Sequence, residues 1–242
     1  NAQRMIEAMT AFRLLMNVHN IKRFRACATS AMREASNGKE IVREIQKKSD
    51  LKVEIIDGKT EADIMASTDL KSLLEEDRVF LYVDVGGGST ELTLFVNGEK
   101  HASKSLELGT VRLLNEKIDN QLWEEMKNWV KQETSGYKKV SLIGSGGNIN
   151  TIYKRSGKKI GRPLSYIFLS SYYKYLKTLS YEERITLLGM NPDRADVVIP
   201  ATKIYLSAMK WSRARNIFVP KIGLSDGIIR YLYKQKQKGN AD

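Results

Sequence analysis

Asp84-Val-Gly-Gly-Gly-Ser-Thr-Glu91 is the stretch of this sequence best equipped for chemistry. An apolar run, Val79-Phe-Leu-Tyr-Val83, leads into an aspartate, then three glycines and two hydroxyl residues, before alternation resumes at Leu92, Leu94 and Val96. Glycine permits positive φ and lets backbone amides approach an anion with no Cβ in the way. Ser89 and Thr90 add hydroxyl donors, while Asp84 and Glu91 are placed to hold a divalent cation or its waters. A tight hairpin needs one or two glycines and neither the aspartate before nor the Ser-Thr-Glu after. The segment therefore reads as a phosphate-binding turn. It is not the Walker pattern, because no Lys-Ser or Lys-Thr follows and a strand rather than a helix comes next.

Three further clusters carry weaker signals, each with a plain structural alternative. Gly144-Ser145-Gly146-Gly147 follows the apolar run 140–143 and precedes a helical pattern. That context suits an anion where a strand end meets a helix N-terminus, and it suits a simple turn equally well. Thr29-Ser-Ala-Met-Arg33 holds a comparable place earlier in the chain. There Ser30 reads either as an N-cap or, with Arg33, as an anion contact, since a guanidinium offers paired donors to phosphate. In Gly58-Lys-Thr-Glu61 the glutamate is favoured in a first turn by the helix dipole. It could equally serve as a general base that deprotonates water.

The elements that must position these residues fall into two blocks. Met5, Met9, Phe12 and Met16 recur at helical spacing and open the chain with an amphipathic helix. Residues 22–28 then read as a strand, 30–49 as a helix interrupted near Asn37-Gly38, 53–56 as a strand and 59–74 as a helix. In the second block, 79–83 is apolar enough to be buried on both faces. Residues 92–96 form its neighbour, Asn97-Gly98 signals a type I′ hairpin and 103–108 gives a third strand. A helix carrying Ile118, Leu122, Met126 and Val130 follows, then a strand at 140–143, a largely helical region over 150–213, a strand at 217–219 and a closing helix at 226–235. Residues 1–78 thus match the second half of the pattern that 79–242 shows in full. The expected division is a first domain over 1–77, with the closing segment 225–242 packed back on it, and a second over 78–224. The first is expected to lack a three-strand unit of roughly 50 residues ahead of Asn1.

Composition sets outer limits. Of 242 residues, 42% are hydrophobic and 28% charged, which excludes a wholly disordered or fibrous chain. No run approaches the roughly 18 apolar residues of a membrane span. Residues 1–10 lack the basic start and apolar run of a secretory signal, and Cys27, the single cysteine, can form neither an internal disulfide nor a zinc cluster. A reducing, cytoplasmic setting is the default expectation. With 40 Lys and Arg against 28 Asp and Glu, the net charge of +12 favours polyanionic partners, phosphates, nucleic acid or anionic lipid, unless the surplus is solvated surface. Cys27 lies in an apolar strand pattern and reads as packing; His19 and His101 have no ligand-spaced companions. Tyr172, Tyr173 and Tyr175 read as helix packing, because no nucleic-acid motif surrounds them.

Taken together, Ala28-Thr-Ser-Ala-Met-Arg33, Gly58-Lys-Thr-Glu-Ala62, Asp84 to Leu92, Leu108-Gly-Thr-Val-Arg112, Gly144 to Gly147, Arg194-Ala-Asp-Val-Val198 and Gly223-Leu-Ser-Asp-Gly227 resemble, in this order, the exopolyphosphatase and guanosine pentaphosphate phosphohydrolase family. The resemblance implies an α/β protein of two ribonuclease-H-like domains, the actin-like ATPase fold, with the active site in the cleft between them. It implies that Glu61 orients and activates the attacking water, that Arg33 contacts the phosphate chain, and that Gly86, Gly87, Gly88, Ser89 and Thr90 form the second phosphate loop. Asp84 and Glu91 would lie near Mg²⁺, and the first phosphate loop would precede Asn1. Ser225-Asp226 departs from the Arg-Glu common in the family. The chain resembles the short, two-domain members of the family, and because the family often dimerises the resemblance allows a homodimer. The expected activity is release of orthophosphate from the end of inorganic polyphosphate or guanosine pentaphosphate, with no role for membrane or specific nucleic acid. The competing readings are an ATP-dependent kinase of the same superfamily and a non-catalytic sensor of polyphosphate or an alarmone.

Overall fold

The computed structural model describes residues 1–66, 78–115, 120–220 and 223–238. Contacts divide the chain into two compact units, Asn1–Thr68 with Leu224–Asp242, and Asp69–Gly223.

The first unit is built on two short parallel strands, β1 (Ala26–Ala28) and β2 (Val53–Ile55), in register Ala26↔Val53. Around them lie α1 (Ala2–Val18), α2 (Ser30–Glu34), α3 (Gly38–Ser49), α4 (Gly58–Ala66) and the closing α12 (Leu224–Lys238). Ile6, Ile45, Leu51 and Val53 form the core, with Met5, Met9 and Met16 packed against it. Phe12, expected on that face, is 57% exposed. The buried stripe of α1 centres nearer Ile6 than Met5, which turns Phe12 to the flank. The strand expected over 22–28 is confined to three residues, and the break expected near Asn37-Gly38 separates α2 from α3. The part of the expected 59–74 helix beyond Ala66 lies outside the described residues, as does Ile118.

The helix α12 belongs to this unit through close backbone approach. A Cβ on Gly227 would lie 2.5 Å from the Ile64 carbonyl oxygen of α4. Further along, the ring of Tyr231 sits 5.2 Å beneath the Arg25 guanidinium, which also donates to Glu54 at 2.8 and 3.1 Å.

The second unit carries a six-stranded mixed sheet in the order β5-β4-β3-β6-β8-β7. A meander of β3 (Val79–Val85), β4 (Thr90–Val96) and β5 (Glu99–Leu106) runs antiparallel. β6 (Val140–Ser145) lies parallel to β3 and β8 (Asn216–Phe218) parallel to β6, with β7 (Leu164–Ser165) antiparallel at the edge. Asn97 and Gly98 both take positive φ, 51° and 77°, as the type I′ turn requires. The helices are α5 (Thr110–Asn115), α6 (Asn120–Thr134), α7 (Gly147–Arg155), α8 (Tyr166–Thr178), α9 (Tyr181–Thr186), α10 (Pro192–Ala195) and α11 (Val198–Trp211).

β3 is central, and its run is apolar throughout because both faces are covered. Leu81 and Val83 join Leu92, Leu94, Leu142, Met126 and Ile204 in one core, while Phe80 meets Phe218 edge to face at 5.9 Å on the other face. Each fully buried Leu, Val or Phe contributes about 1.5–3 kcal/mol relative to exposure. This sheet is the rigid frame that fixes the ends of β3 and β6.

The Gly227 contact gives a direct test of how α12 is held. Gly227→Ala must push the helix off the Ile64 carbonyl, an overpacking that costs about 1–3 kcal/mol. Thermal unfolding should show a lower Tm for this variant; an unchanged Tm would mean that the α12–α4 approach is dispensable.

Candidate functional site

In the second unit the sheet assembles a polar row at the carboxyl ends of its two central parallel strands. Asp84 pairs with Glu91 across β3–β4 and with Ser145 across β3–β6, so the three lie side by side. The two glycine loops continue from these strand ends. Gly146, at φ 112°, passes so close that a Cβ would lie 2.9 Å from the Val85 carbonyl oxygen and 3.4 Å from Asp84 Oδ1. No L-residue with a side chain fits that backbone without strain.

The Gly86–Ser89 turn is anchored through its carbonyls. Gly86 O accepts from the amide of Thr110 at 3.0 Å and from its hydroxyl at 3.3 Å. Gly87 O accepts from the amide of Val111 at 2.8 Å, and Gly88 O from Arg112 Nε at 3.0 Å. These donors all belong to the first turn of α5. In a trans peptide the N–H points opposite the C=O. Fixing three successive carbonyls toward α5 therefore turns the amides of Gly87, Gly88 and Ser89 the other way. Among the described residues none of these three amides has a protein acceptor. Successive backbone N–H groups aimed at one point form an anion-binding concavity.

Sequence reasoning assigned no role to Gly109, though it lies within Leu108-Gly-Thr-Val-Arg112. A Cβ there would fall 2.2 Å from Gly87 O and 2.3 Å from the Gly88 carbonyl carbon. Glycine at this position lets α5 dock on the turn. The signal in the sequence was a second glycine immediately before a short helical pattern.

The hydroxyls of the loops are engaged within the protein. Ser89 Oγ donates to Glu91 Oε1 at 2.6 Å, and Ser105 Oγ donates to the same oxygen at 3.2 Å. Thr90 Oγ1 donates to the Leu108 carbonyl, and Tyr205 donates to the Ser145 carbonyl. Burial pushes the Asp84 carboxyl above its usual range, and hydrogen bonds from Ser145 and Tyr82 act in the opposite sense. Burial, followed by the Asp84 charge, also drives the Tyr82 and Tyr205 phenols well above theirs.

An anion seated on amides beside a carboxylate suffers repulsion unless a cation lies between them. Among the described residues no group of three His, Cys, Asp or Glu could enclose a metal. A pair of carboxylates, Asp84 with Glu91 opposite, nonetheless fits Mg²⁺, which keeps several waters and takes one or two protein carboxylates plus phosphate oxygens. The residues fit the ion.

The first unit brings Ser30, Arg33 and Glu61 to the carboxyl ends of its own two strands. α2 begins at Ser30, so the cap position falls on Thr29, and the Ser30 hydroxyl donates instead to Glu34 one turn on, at 2.6 Å. The capping alternative for Ser30 is thereby corrected. Arg33 Nη1 donates to the Ile56 carbonyl at 2.8 Å, which pins the guanidinium at the end of β2. Glu61 lies in the first turn of α4, half-buried, with its Oε2 shielded from solvent. Asp57, which sequence reasoning passed over, caps α4: its Oδ1 accepts from the Thr60 amide at 2.7 Å. Hydrogen bonding from Thr60 holds the Asp57 carboxyl below its usual range. An aspartate immediately before a helix start was the available signal.

Comparison with known proteins places this arrangement. A bifunctional 3-dehydroquinate synthase/phosphatase of Fusobacterium nucleatum is 28% identical over 230 residues, which is 84% of this chain and 34% of that protein. The chain thus spans about a third of that relative's length. Exopolyphosphatase 1 of Mycobacterium leprae is 20% identical over 236 residues, covering 89% of this chain and 70% of the relative. Among solved structures, an exopolyphosphatase from Cytophaga hutchinsonii superposes with TM-score 0.83 at 24% identity over 97% of this chain and 82% of that one. A Ppx/GppA family member from Aquifex aeolicus gives 0.75 at 23% identity with the same coverage. These show a shared fold. The Ppx/GppA phosphatase family pattern matches residues 1–236, and with the anchored glycine turn in place the chain belongs to the Ppx/GppA phosphatase family.

Proposed function

We propose that this chain hydrolyses the terminal phosphoanhydride of inorganic polyphosphate, or of a pentaphosphate nucleotide, and releases orthophosphate. The observation that carries the reading is the Gly86–Ser89 turn, with three carbonyls tied to α5 and three amides turned away from it. A relative named exopolyphosphatase supports the same substrate class, and one named as a phosphatase supports phosphate hydrolysis more broadly.

Phosphoryl transfer asks a protein for positioning and charge stabilisation more than for covalent help. The amides of Gly87, Gly88 and Ser89 hold phosphate oxygens where negative charge is spread in the transition state. The N-terminus of α7 at Gly146-Gly147 offers a second such place for a bridging or following phosphate. Arg33, with one guanidinium N–H fixed to Ile56, presents its remaining donors to the chain. Glu61 accepts a proton from water and aligns its lone pair with the phosphorus. Mg²⁺ held by Asp84 and Glu91 would neutralise charge on the phosphate oxygens. Charge repulsion between Asp84 and the bound anion is the reason the ion is needed there.

The decisive assay is orthophosphate release from polyphosphate and from guanosine pentaphosphate with no acceptor present. Release supports a hydrolase; transfer that requires an acceptor indicates a kinase, and tight binding without release indicates a sensor.

Three outcomes follow from the assigned roles. Glu61→Gln keeps the shape and removes the base, so kcat should fall by about 10²–10⁴ while polyphosphate affinity stays near wild type. Wild-type turnover in this variant would remove Glu61 from the mechanism. Gly109→Ala should displace α5 from the turn, and polyphosphate affinity should weaken by about tenfold or more, the loss of roughly one charge-assisted hydrogen bond. A circular dichroism spectrum matching wild type keeps that result interpretable, and unchanged affinity would sever Gly109 from the anion site. Chelation by EDTA should abolish release and added Mg²⁺ restore it; full activity in EDTA would refute the role given to Asp84 and Glu91.

A further inference from the structure

Between Glu133 and Glu182 the sequence contains no aspartate or glutamate, while nine lysines and arginines fall in that span. Five of them cluster at the end of α7 and just beyond it, at Lys154, Arg155, Lys158, Lys159 and Arg162. Lys154 and Arg155 occupy the last turn of α7, where the helix dipole alone favours cations. Lys158, Lys159 and Arg162 lie past the helix, where the dipole offers no such reason.

The loop bearing them is held in shape. Tyr153, buried on α7, donates its hydroxyl to the carbonyls of Lys159 at 2.6 Å and Arg162 at 2.9 Å. Ser156 Oγ accepts from the amide of Lys158 at 3.3 Å. Beside the loop is a hollow of about 390 Å³ lined by Asn150, Thr151, Tyr153, Lys154, Lys158 and Ile160. Among the described residues Lys154, Lys158, Lys159 and Arg162 meet no carboxylate, in contrast to Lys104, paired with Glu125 at 2.6 Å, and Lys127, paired with Glu124 at 2.9 Å.

The hollow shares a helix with the second glycine loop. Gly147, Thr151 and Lys154 recur at spacings of four and three, which sets them along one side of α7, and Lys158, just past the helix, lines the same hollow as Thr151 and Lys154. Lys154 stands seven residues beyond Gly147, roughly 10 Å along the axis. A polyanion whose end is held at the glycine loops would reach these lysines only if it were several units long.

Building on the proposed hydrolysis of condensed phosphates, we infer that the Lys154–Lys158 hollow and its cationic loop form a subsite for the distal phosphates of a long chain. This surface then sets chain-length preference, while the glycine loops act on the chain end whatever its length.

The test compares tripolyphosphate with long-chain polyphosphate in the double variant Lys154→Glu/Lys158→Glu. KM for the long chain should rise about tenfold, the effect of two exposed charge contacts, with tripolyphosphate kinetics unchanged. The control Lys138→Glu/Lys139→Glu makes the same charge reversal just before β6, at the strand end away from the loops, and should leave both substrates unaffected. Equal losses on both substrates, no loss, or the same loss in the control would overturn the subsite. Reduced binding of single-stranded RNA with an unchanged long-chain KM would assign the surface to nucleic acid and equally overturn it. Equilibrium binding of both polymers, which requires no turnover, separates failure of the subsite from failure of the hydrolase reading.

Discussion

The planarity of three consecutive peptide bonds governs the glycine site. Once the carbonyls of Gly86, Gly87 and Gly88 are fixed to the start of α5, the amides that follow have no freedom to turn inward. Their orientation is set by a helix over twenty residues later in the chain, not by the turn itself. That helix can approach because Gly109 has no side chain, and the turn stays in place because β3 and β4 are locked in register from Val79↔Val96 to Val85↔Thr90. A preorganised array of this kind loses little on binding an anion, since no dipole must be reoriented at the moment of reaction.

The same geometry creates an electrostatic conflict. Asp84 stands between Glu91 and Ser145 at the edge of the anion-seeking amides, and it is buried enough that its charged form is disfavoured. Burying a carboxylate is costly unless hydrogen bonds or a counter-charge offset the loss of water. Ser145 and Tyr82 supply hydrogen bonds, but the two phenols nearby contribute no positive charge. A stability argument alone would not put an aspartate here. A divalent cation held by Asp84 and Glu91 would offset both the burial of Asp84 and its repulsion of an anion on the amides.

Much of this was legible before any coordinates. The alternation of Leu92, Leu94 and Val96, the unbroken run over 79–83 and the Asn97-Gly98 turn each follow from a strong local rule, and β3, β4 and their hairpin stand where those rules put them. What stayed hidden is what depends on distant partners. β7 is two residues long and exists because Leu164 and Ser165 pair with β8, some fifty residues later, so no periodicity could announce it. The strand over 22–28 shrank to Ala26–Ala28 because pairing with Val53–Ile55 reaches no further. At the site, glycines and carboxylates were visible by type, whereas the destination of each hydroxyl was not. Ser30 turned toward Glu34 rather than capping its helix, a choice between two nearby partners that sequence spacing leaves open.

Those hydroxyl destinations decide which part of the chain can meet an anion. Ser89 serves Glu91, Thr90 serves Leu108, Thr110 serves Gly86 and Tyr205 serves Ser145. These four donors are engaged in holding backbone or carboxylate in place, while the amides of Gly87, Gly88 and Ser89 face away from α5. Recognition by amides reads charge and shape, and it has no means of telling a phosphate linked to more phosphate from one linked to a nucleoside. On the proposed reading, discrimination among condensed phosphates would come from contacts farther along the substrate, where side chains rather than peptide groups line the surface. Within the acid-free stretch from Ser135 to Tyr181, the densest run of such side chains is Lys154, Arg155, Lys158, Lys159 and Arg162, at the end of α7 and just past it.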